Sequence, residues 1–323
     1  MHNLLRVYSA ILGCICCALL LFGCSSGGSS SSTSTSSTGT ASLSLTDAPI
    51  VDASDVEGVF ITVSSISYNI NDEWIDAEEF VGPQIFNLFE LTDGVTAFLD
   101  RTELPAGTVS QIRFMLDAPE EGQQINGNPG CFIEIDPDGV ADDNADDNEE
   151  FPLFVPSGGE SGYKAVGAFD VPANGTVEVV ADFDVRKSVV SPGNNQTQNE
   201  RFILKPTIRL IVYKQAGKIE GDFVINSEDD FHSYVVFAYE SGTYTAEEAA
   251  TDFPNAITSS EVFDNDGDGT ADYYSLPFLA AGEYDLIVAG VKEDGSYTYI
   301  ETMEDSVTAV SKDTTIYDIS MIE

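Results

Sequence analysis

Histidine, cysteine, tryptophan and positive charge are all scarce in this sequence, and each scarcity removes a class of function. Only two histidines occur, His2 and His232. A multi-histidine zinc site is therefore excluded, and a histidine-assisted nucleophile has only His232 as its base. That residue sits in the apolar stretch Phe231–Tyr239 and reads as a strand residue rather than a catalyst. Of the 5 cysteines, Cys14, Cys16, Cys17 and Cys24 crowd the start, and after Cys24 only Cys131 remains. No intrachain disulfide can form beyond that point, so stability must come from the core. Lys and Arg number 13 against 55 Asp and Glu, a net charge of -42. Such a charge repels nucleic-acid phosphate and anionic lipid surfaces, which argues against both as partners. It suits a salty or cation-rich exterior, where screening weakens self-repulsion. No Gly-rich loop follows a strand and opens a helix, so nucleotide binding has no support. With 55 acids, carboxylate pairs of the glycoside-hydrolysing kind arise from composition alone and signal nothing.

What is present begins with Arg6 and an apolar run of 16 residues, Val7 to Phe22. A spanning helix needs roughly 20 residues, so a retained transmembrane anchor is the weaker reading. The run ends in Leu21-Phe22-Gly23-Cys24, small residues before an acylatable thiol, the order of a bacterial lipoprotein cleavage box. Residues 1–23 thus read as a lipoprotein signal peptide, with Cys24 carrying a covalent lipid that holds the protein to a membrane. Residues 24–41 are almost wholly Ser, Thr and Gly, a composition too polar to offset its chain entropy by burial. A coil of about 16 residues reaches on the order of 20 Å, enough to lift a domain off the headgroups. Ser25 after the cysteine, by resemblance to enteric sorting rules, points to the outer membrane within the cell envelope.

Beyond the tether, apolar residues alternate with period two: Leu43 and Leu45; Val59, Ile61 and Val63; Ile112, Phe114 and Leu116; Val177, Val179, Ala181, Phe183 and Val185. This is the pattern of half-buried strands, and Gly, Pro and Asn clusters separate them. No 3.6-residue apolar stripe follows the signal. An all-β fold of two tandem β-sandwiches, immunoglobulin-like or prealbumin-like, is expected, one over 42–215 and one over 217–323. The break falls where the apolar strand Ile208–Tyr213 gives way to Lys214-Gln215-Ala216-Gly217-Lys218. One short helix is expected at Thr245, with Glu248 completing a capping box. Leu104-Pro105-Ala106-Gly107 and Leu279-Ala280-Ala281-Gly282 recur in the two halves, each before an alternating strand.

Five ordered motifs carry a family resemblance: Leu43-Ser44-Leu45-Thr46-Asp47-Ala48-Pro49; Leu104-Pro105-Ala106-Gly107 with Ile112-Arg113; Val155-Pro156-Ser157-Gly158; Asp182-Phe183-Asp184-Val185-Arg186-Lys187-Ser188; and Leu204-Lys205-Pro206-Thr207-Ile208-Arg209-Leu210. Through them residues 42–213 resemble a bacterial and archaeal lipoprotein domain, the domain of unknown function 4382. The resemblance implies location and fold, and no activity. Through Gly217-Lys218-Ile219-Glu220-Gly221 and Leu279 to Leu286, residues 217–323 resemble, more loosely, the prealbumin-like sandwiches of carboxypeptidase-regulatory-like and starch-binding-like modules. Those include sugar binders and inert spacers alike.

The sharpest chemical motif is Asp264-Asn265-Asp266-Gly267-Asp268-Gly269-Thr270-Ala271-Asp272. Carboxylates of Asp264, Asp266, Asp268 and Asp272 stand at relative positions 1, 3, 5 and 9, Gly269 takes the sharp turn and the Thr270 carbonyl adds an oxygen, as in a calcium loop. Ser275 stands where an EF-hand has its bidentate Glu, so the expectation is a free-standing structural Ca2+ turn, against a solvated acidic hairpin. The acidic run Asp136 to Glu150 reads as extended and hydrated, with a weaker cation site as its rival. Arg186, Lys187, Arg201, Lys205, Arg209 and Lys214 are expected to pair with carboxylates such as Asp47, Asp182 or Asp184, against a basic groove for an anionic glycan. Trp74, Tyr163, Tyr244, Tyr273, Tyr274, Tyr297 and Tyr299 are the aromatics that exposure would turn into binding surface. The function expected is a non-enzymatic surface module for a glycan or a surface protein, with an envelope scaffold and an unfamiliar hydrolase as alternatives.

Overall fold

The structure, a computed structural model, describes residues 37–48, 56–118, 130–135, 148–156, 161–190, 202–205, 207–225, 231–292 and 296–321. It has the expected all-β architecture of two tandem sandwiches. In the first, the strands are β1 (Thr38–Ala48), β2 (Val56–Ile70), β3 (Glu73–Asp76), β4 (Gln84–Asn87), β5 (Ala97–Pro105), β6 (Gly107–Leu116), β7 (Phe132–Ile135), β8 (Glu149–Phe154), β9 (Tyr163–Ala165), β10 (Phe169–Val171), β11 (Thr176–Asp184), β12 (Val189–Val190), β13 (Phe202–Leu204) and β14 (Ile208–Val212). One sheet runs β14-β11-β1-β5. The other runs β10-β6-β2-β7-β8-β13-β12, with β3 and β4 on β2 and β9 on β6. The alternating residues of the sequence meet between these sheets: Leu43, Leu45, Val179 and Phe183 from one, Ile61, Val63, Ile112 and Phe114 from the other.

Strand β2 shows how the sequence manages a long strand. Its inward residues are Val59, Ile61 and Val63 in the first half, then Ile66, Tyr68 and Ile70 in the second. The parity changes across the exposed pair Ser64-Ser65, where the register against β6 shifts. One extra residue there turns the following side chains back to the core instead of to water.

The second sandwich comprises β15 (Ala216–Ile225), β16 (Ser233–Glu240), β17 (Thr258–Glu261), β18 (Tyr273–Ala280), β19 (Gly282–Val291), β20 (Tyr297–Thr302), β21 (Val307–Ala309), β22 (Thr314–Ile316) and β23 (Ile319–Met321). Its sheets run β18-β15-β22, with β23 on β15, and β17-β16-β19-β20, with β21 on β19. The two sandwiches repeat one wiring. β1 is antiparallel to β5 and parallel to β11; β15 is antiparallel to β18 and parallel to β22 and β23. β2 pairs with β6 as β16 pairs with β19. The recurring Leu-x-x-Gly signature marks equivalent places, the turns from β5 to β6 and from β18 to β19, each carrying the chain from one sheet to the other.

Two local expectations need correction. Composition assigns Thr38 to Ala41 to the tether, but these residues begin β1, flanked by β11 and β5. Backbone pairing on both sides, including Thr40 N–H to the Gly175 carbonyl at 2.8 Å, outweighs their poor apolar content. Near Thr245 there is a 3-10 turn, Ala246–Thr251, without a capping box: the Thr245 side chain makes no cap hydrogen bond. Glu248 turns inward instead, accepting from Tyr239 Oη (2.8 Å), Asn255 N (3.2 Å) and Asn255 Nδ2 (3.1 Å). This pins the segment after β16 over the outer face of its sheet, where Phe253 and Ala256 cover Phe237, Ile287 and Ala289. Both faces of that sheet are thus apolar, which explains the unbroken buried run Val235–Tyr239.

Candidate functional site

The Asp-rich loop joins β17 to β18. Phe263 and Tyr273 close it as a bridge, with Phe263 N–H donating to the Tyr273 carbonyl at 2.9 Å. Inside, Asp264 accepts the backbone N–H groups of Gly267 (2.7 Å), Asp266 (3.2 Å) and Gly269 (2.8 Å). Asp266 accepts from Asp268 N at 3.1 Å and Asp268 from Thr270 N at 2.8 Å. Gly267 and Gly269 have φ of 78° and 90°, a left-handed backbone that a side chain would strain. The turn therefore wraps its own carboxylates inward, and one oxygen each of Asp264, Asp266 and Asp268 lies within 4.8 Å of the others. The N–H groups of Gly269 and Gly267 hold the Asp264 carboxyl below the usual carboxylate range. Asp272 is outside the converging trio. Partial loss of solvent, then the charges of Asp268, Asp266, Asp222 and Asp264, push its carboxyl up.

Several residues singled out by sequence have structural tasks. Arg209 Nε donates to Asp182 at 3.1 Å, and Lys187 Nζ pairs with Asp184 at 2.9 Å. Lys187 also reaches the second sandwich, donating to the Ala256 carbonyl at 2.6 Å. Tyr274 is core, its hydroxyl donating to the Tyr317 carbonyl at 2.6 Å, and Tyr297 packs edge-on to Phe237. His232 is exposed and precedes β16. Trp74 stacks on the Arg113 guanidinium at 3.9 Å, and Tyr244 and Tyr299 stack at 6.1 Å with Tyr299 exposed. Cys24, the tether up to Ser36, Asp136 to Asp147 and Arg201 lie outside the described residues.

Sequence reasoning missed the cleft where the sandwiches meet. It encloses about 590 Å³, within the range of small-ligand sites, and is lined from the first sandwich by Asp93, Gly94, Thr96 and Glu178, and from the second by Pro277, Phe278, Lys312, Asp313 and Thr314. Tyr213, Lys214 and Lys218, on the crossing chain and the start of β15, complete it. Tyr213 is 54% exposed, its ring 6.3 Å from that of Phe278. Of the 13 Lys and Arg residues, three stand here. Lys214 lies 4.0 Å from Glu178 and Lys218 contacts Glu220, whereas Lys312 makes no ion pair among the described residues. The only sequence hint was Lys214-Gln215-Ala216-Gly217-Lys218, which reads as a polar linker and is in fact a wall of the cleft.

A family model described as a domain of unknown function (DUF4382) matches residues 38–206. No curated protein sequence matches the chain. Among solved structures, similarity is found to a leucine-rich repeat protein from Bacteroides thetaiotaomicron (12% identity, TM-score 0.23, covering 88% of this chain and 26% of that one). It is also found to the minor pilin GBS52 of Streptococcus agalactiae (12% identity, TM-score 0.20, 86% and 94%). A third is the gamma-CGTase of an alkalophilic Bacillus clarkii (10% identity, TM-score 0.26, 81% and 35%). The chain thus spans about a quarter of the length of the first of these. Likeness at these TM-scores carries no argument about function.

Proposed function

The chain belongs to the DUF4382 family through residues 38–206, and from that premise we propose that it is an exported lipoprotein, acylated at Cys24 and held at the outer membrane, that acts as a non-enzymatic binding module. The observation that carries the binding reading is the 590 Å³ cleft between the sandwiches, with an exposed aromatic beside charged groups of both signs. A flat apolar ring beside hydrogen-bonding groups is the chemistry that holds a sugar, so carbohydrate is the ligand class. The lysines and carboxylates of the cleft offer donors and acceptors that a bound ligand can use. A glycan array probed with the full-length protein in detergent tests this: Tyr213→Ala abolishes every hit, and hits that survive it move the site elsewhere.

The Asp-rich loop serves as a structural Ca2+ site. Calcium takes six to eight oxygens, and Asp264, Asp266 and Asp268, which converge, can supply part of them, with the Thr270 carbonyl and water for the rest; Asp272, outside the trio, would have to move to join. Four carboxylates in nine residues repel one another, and a divalent cation turns that repulsion into coordination while fixing the turn between β17 and β18. Extracellular modules bind calcium with dissociation constants of roughly 0.1 to 1 mM. At ten times the dissociation constant, linkage yields about 1.4 kcal/mol of stabilisation. The protein melts higher in calcium than in chelator, magnesium does less, and Asp266→Ala with Asp268→Ala removes the difference. Unchanged melting in chelator, with no heat of binding up to several millimolar calcium, leaves the loop an acidic turn.

A further inference from the structure

We infer that the cleft between the sandwiches takes a carboxylate-bearing saccharide, a uronic-acid unit, with Lys312 meeting the carboxylate and Tyr213 the ring face. The inference rests on the binding reading above and names the ligand's charge, which that reading leaves open. The cleft is unusual for this protein. Acids outnumber bases 55 to 13 along the chain, yet three lysines and three acids, Asp93, Glu178 and Asp313, line this one site. Lys214 and Lys218 face carboxylates of their own, Glu178 and Glu220. Among the described residues Lys312 does not, and it stands in a tight turn between β21 and β22, held by its backbone N–H to the Ala216 carbonyl at 2.7 Å. A left-handed backbone at Lys312, φ 62°, is a conformation glycine or asparagine would adopt more readily. A long cationic side chain at that place lies at the rim of the cleft, where it is open to a ligand.

The neighbouring groups narrow the class further. Glu178 and Asp93 are acceptors, and a polyhydroxylated ligand supplies donors for the lone pairs that Lys214 and Thr92 leave open. Tyr213, 54% exposed and beside Phe278, offers the flat apolar face against which a sugar ring packs. A neutral sugar would satisfy the carboxylates and the ring and leave Lys312 unused; a simple anion would use Lys312 and leave the rest. A uronic acid uses all of them. The net charge of -42 opposes an anion at long range, but the Debye length of about 8 Å at physiological salt confines that repulsion to groups near the cleft.

The test is calorimetry on the full-length protein in detergent, titrated with a uronic-acid trisaccharide and with its carboxyl-reduced counterpart, at low and high salt. The acid binds at least tenfold more tightly than the reduced sugar, and high salt narrows the gap. Lys312→Gln removes the preference, Lys312→Arg keeps it, and Tyr213→Ala weakens both ligands. Equal affinity for the two sugars, or a preference that survives Lys312→Gln, overturns the uronate assignment while the binding reading stands. If neither sugar binds at millimolar concentration, the uronate assignment is overturned; the binding reading then falls only if the glycan array is also blank.

Discussion

Removing the Glu248 carboxylate tests how the second sandwich is capped. Glu248 is 7% exposed, and its two oxygens accept from Tyr239 Oη, Asn255 N and Asn255 Nδ2 at 2.8–3.2 Å. These hydrogen bonds, with the nearby positive charge of Lys187, outweigh the loss of solvent and hold the carboxyl below the usual glutamate range. Hydrogen bonds to a charged group contribute about 1.5–3 kcal/mol each, but the two from Asn255 act as one anchor. Glu248→Ala should therefore cost about 3–4 kcal/mol in urea unfolding followed by tyrosine fluorescence, and Glu248→Gln, which keeps one acceptor oxygen, about half of that. The pH dependence has a definite sign. A depressed folded-state carboxyl stabilises fully above the unfolded value of roughly 4.3, and that contribution is lost as pH falls through the lower folded value. The deficit of Glu248→Gln against the parent should be full at pH 6 and shrink below pH 4. A loss under about 1 kcal/mol for Glu248→Ala, or a Gln deficit that does not change with pH, would refute the anchoring argument.

Further outcomes follow from other sites. Cys24→Ser should accumulate as unprocessed precursor with no labelled fatty acid, and equal labelling of mutant and parent sinks the lipoprotein reading. Cys131 is buried, and burial pushes its thiol up to about 12, so a thiol reagent at pH 8 should not react with the folded, acylated protein and should titrate one thiol after denaturation. Gly217→Ala places a Cβ 2.4 Å from the Val310 carbonyl oxygen, a backbone clash that cannot rotate away. It should cost about 2 kcal/mol or more, read by denaturant midpoint; a neutral substitution would mean that β15 can move off the chain at Val310.

Period-two alternation made the strands legible because each sandwich buries one face of most of its strands. Leu43 and Leu45, or Ile112, Phe114 and Leu116, have one environment inward and another outward, and the sequence records the difference. The Asp-rich loop was legible for a related reason: its hydrogen bonds are local, from Asp264 to the next five residues, so spacing alone encodes its shape. Glu248 was misread because a local rule at Thr245 competes with tertiary partners. The spacing of a capping box is there, but the tertiary partners Tyr239 and Asn255 take the carboxylate, and nothing within three residues announces them.

The junction was illegible for the same physical reason, carried further. Lys214 to Lys218 look like a linker because charged and small residues usually face water, and here Lys214, Ala216, Gly217 and Lys218 line the cleft. Lys187 is expected to pair with a carboxylate such as Asp184; Asp184 does pair with it, and the ammonium also bonds the Ala256 carbonyl, 69 residues away. Gly94 falls in a turn of the first sandwich, and a Cβ there would meet Pro277 of the second at 3.4 Å. Each of these contacts joins residues whose separation no periodicity spans, and each uses a side chain or glycine that is unremarkable in its own segment. The two sandwiches that the sequence divides near Gly217 are thus in contact through Lys187, through Gly94 and along the walls of the cleft. A ligand seated there touches both at once, so its binding energy adds to whatever holds them together.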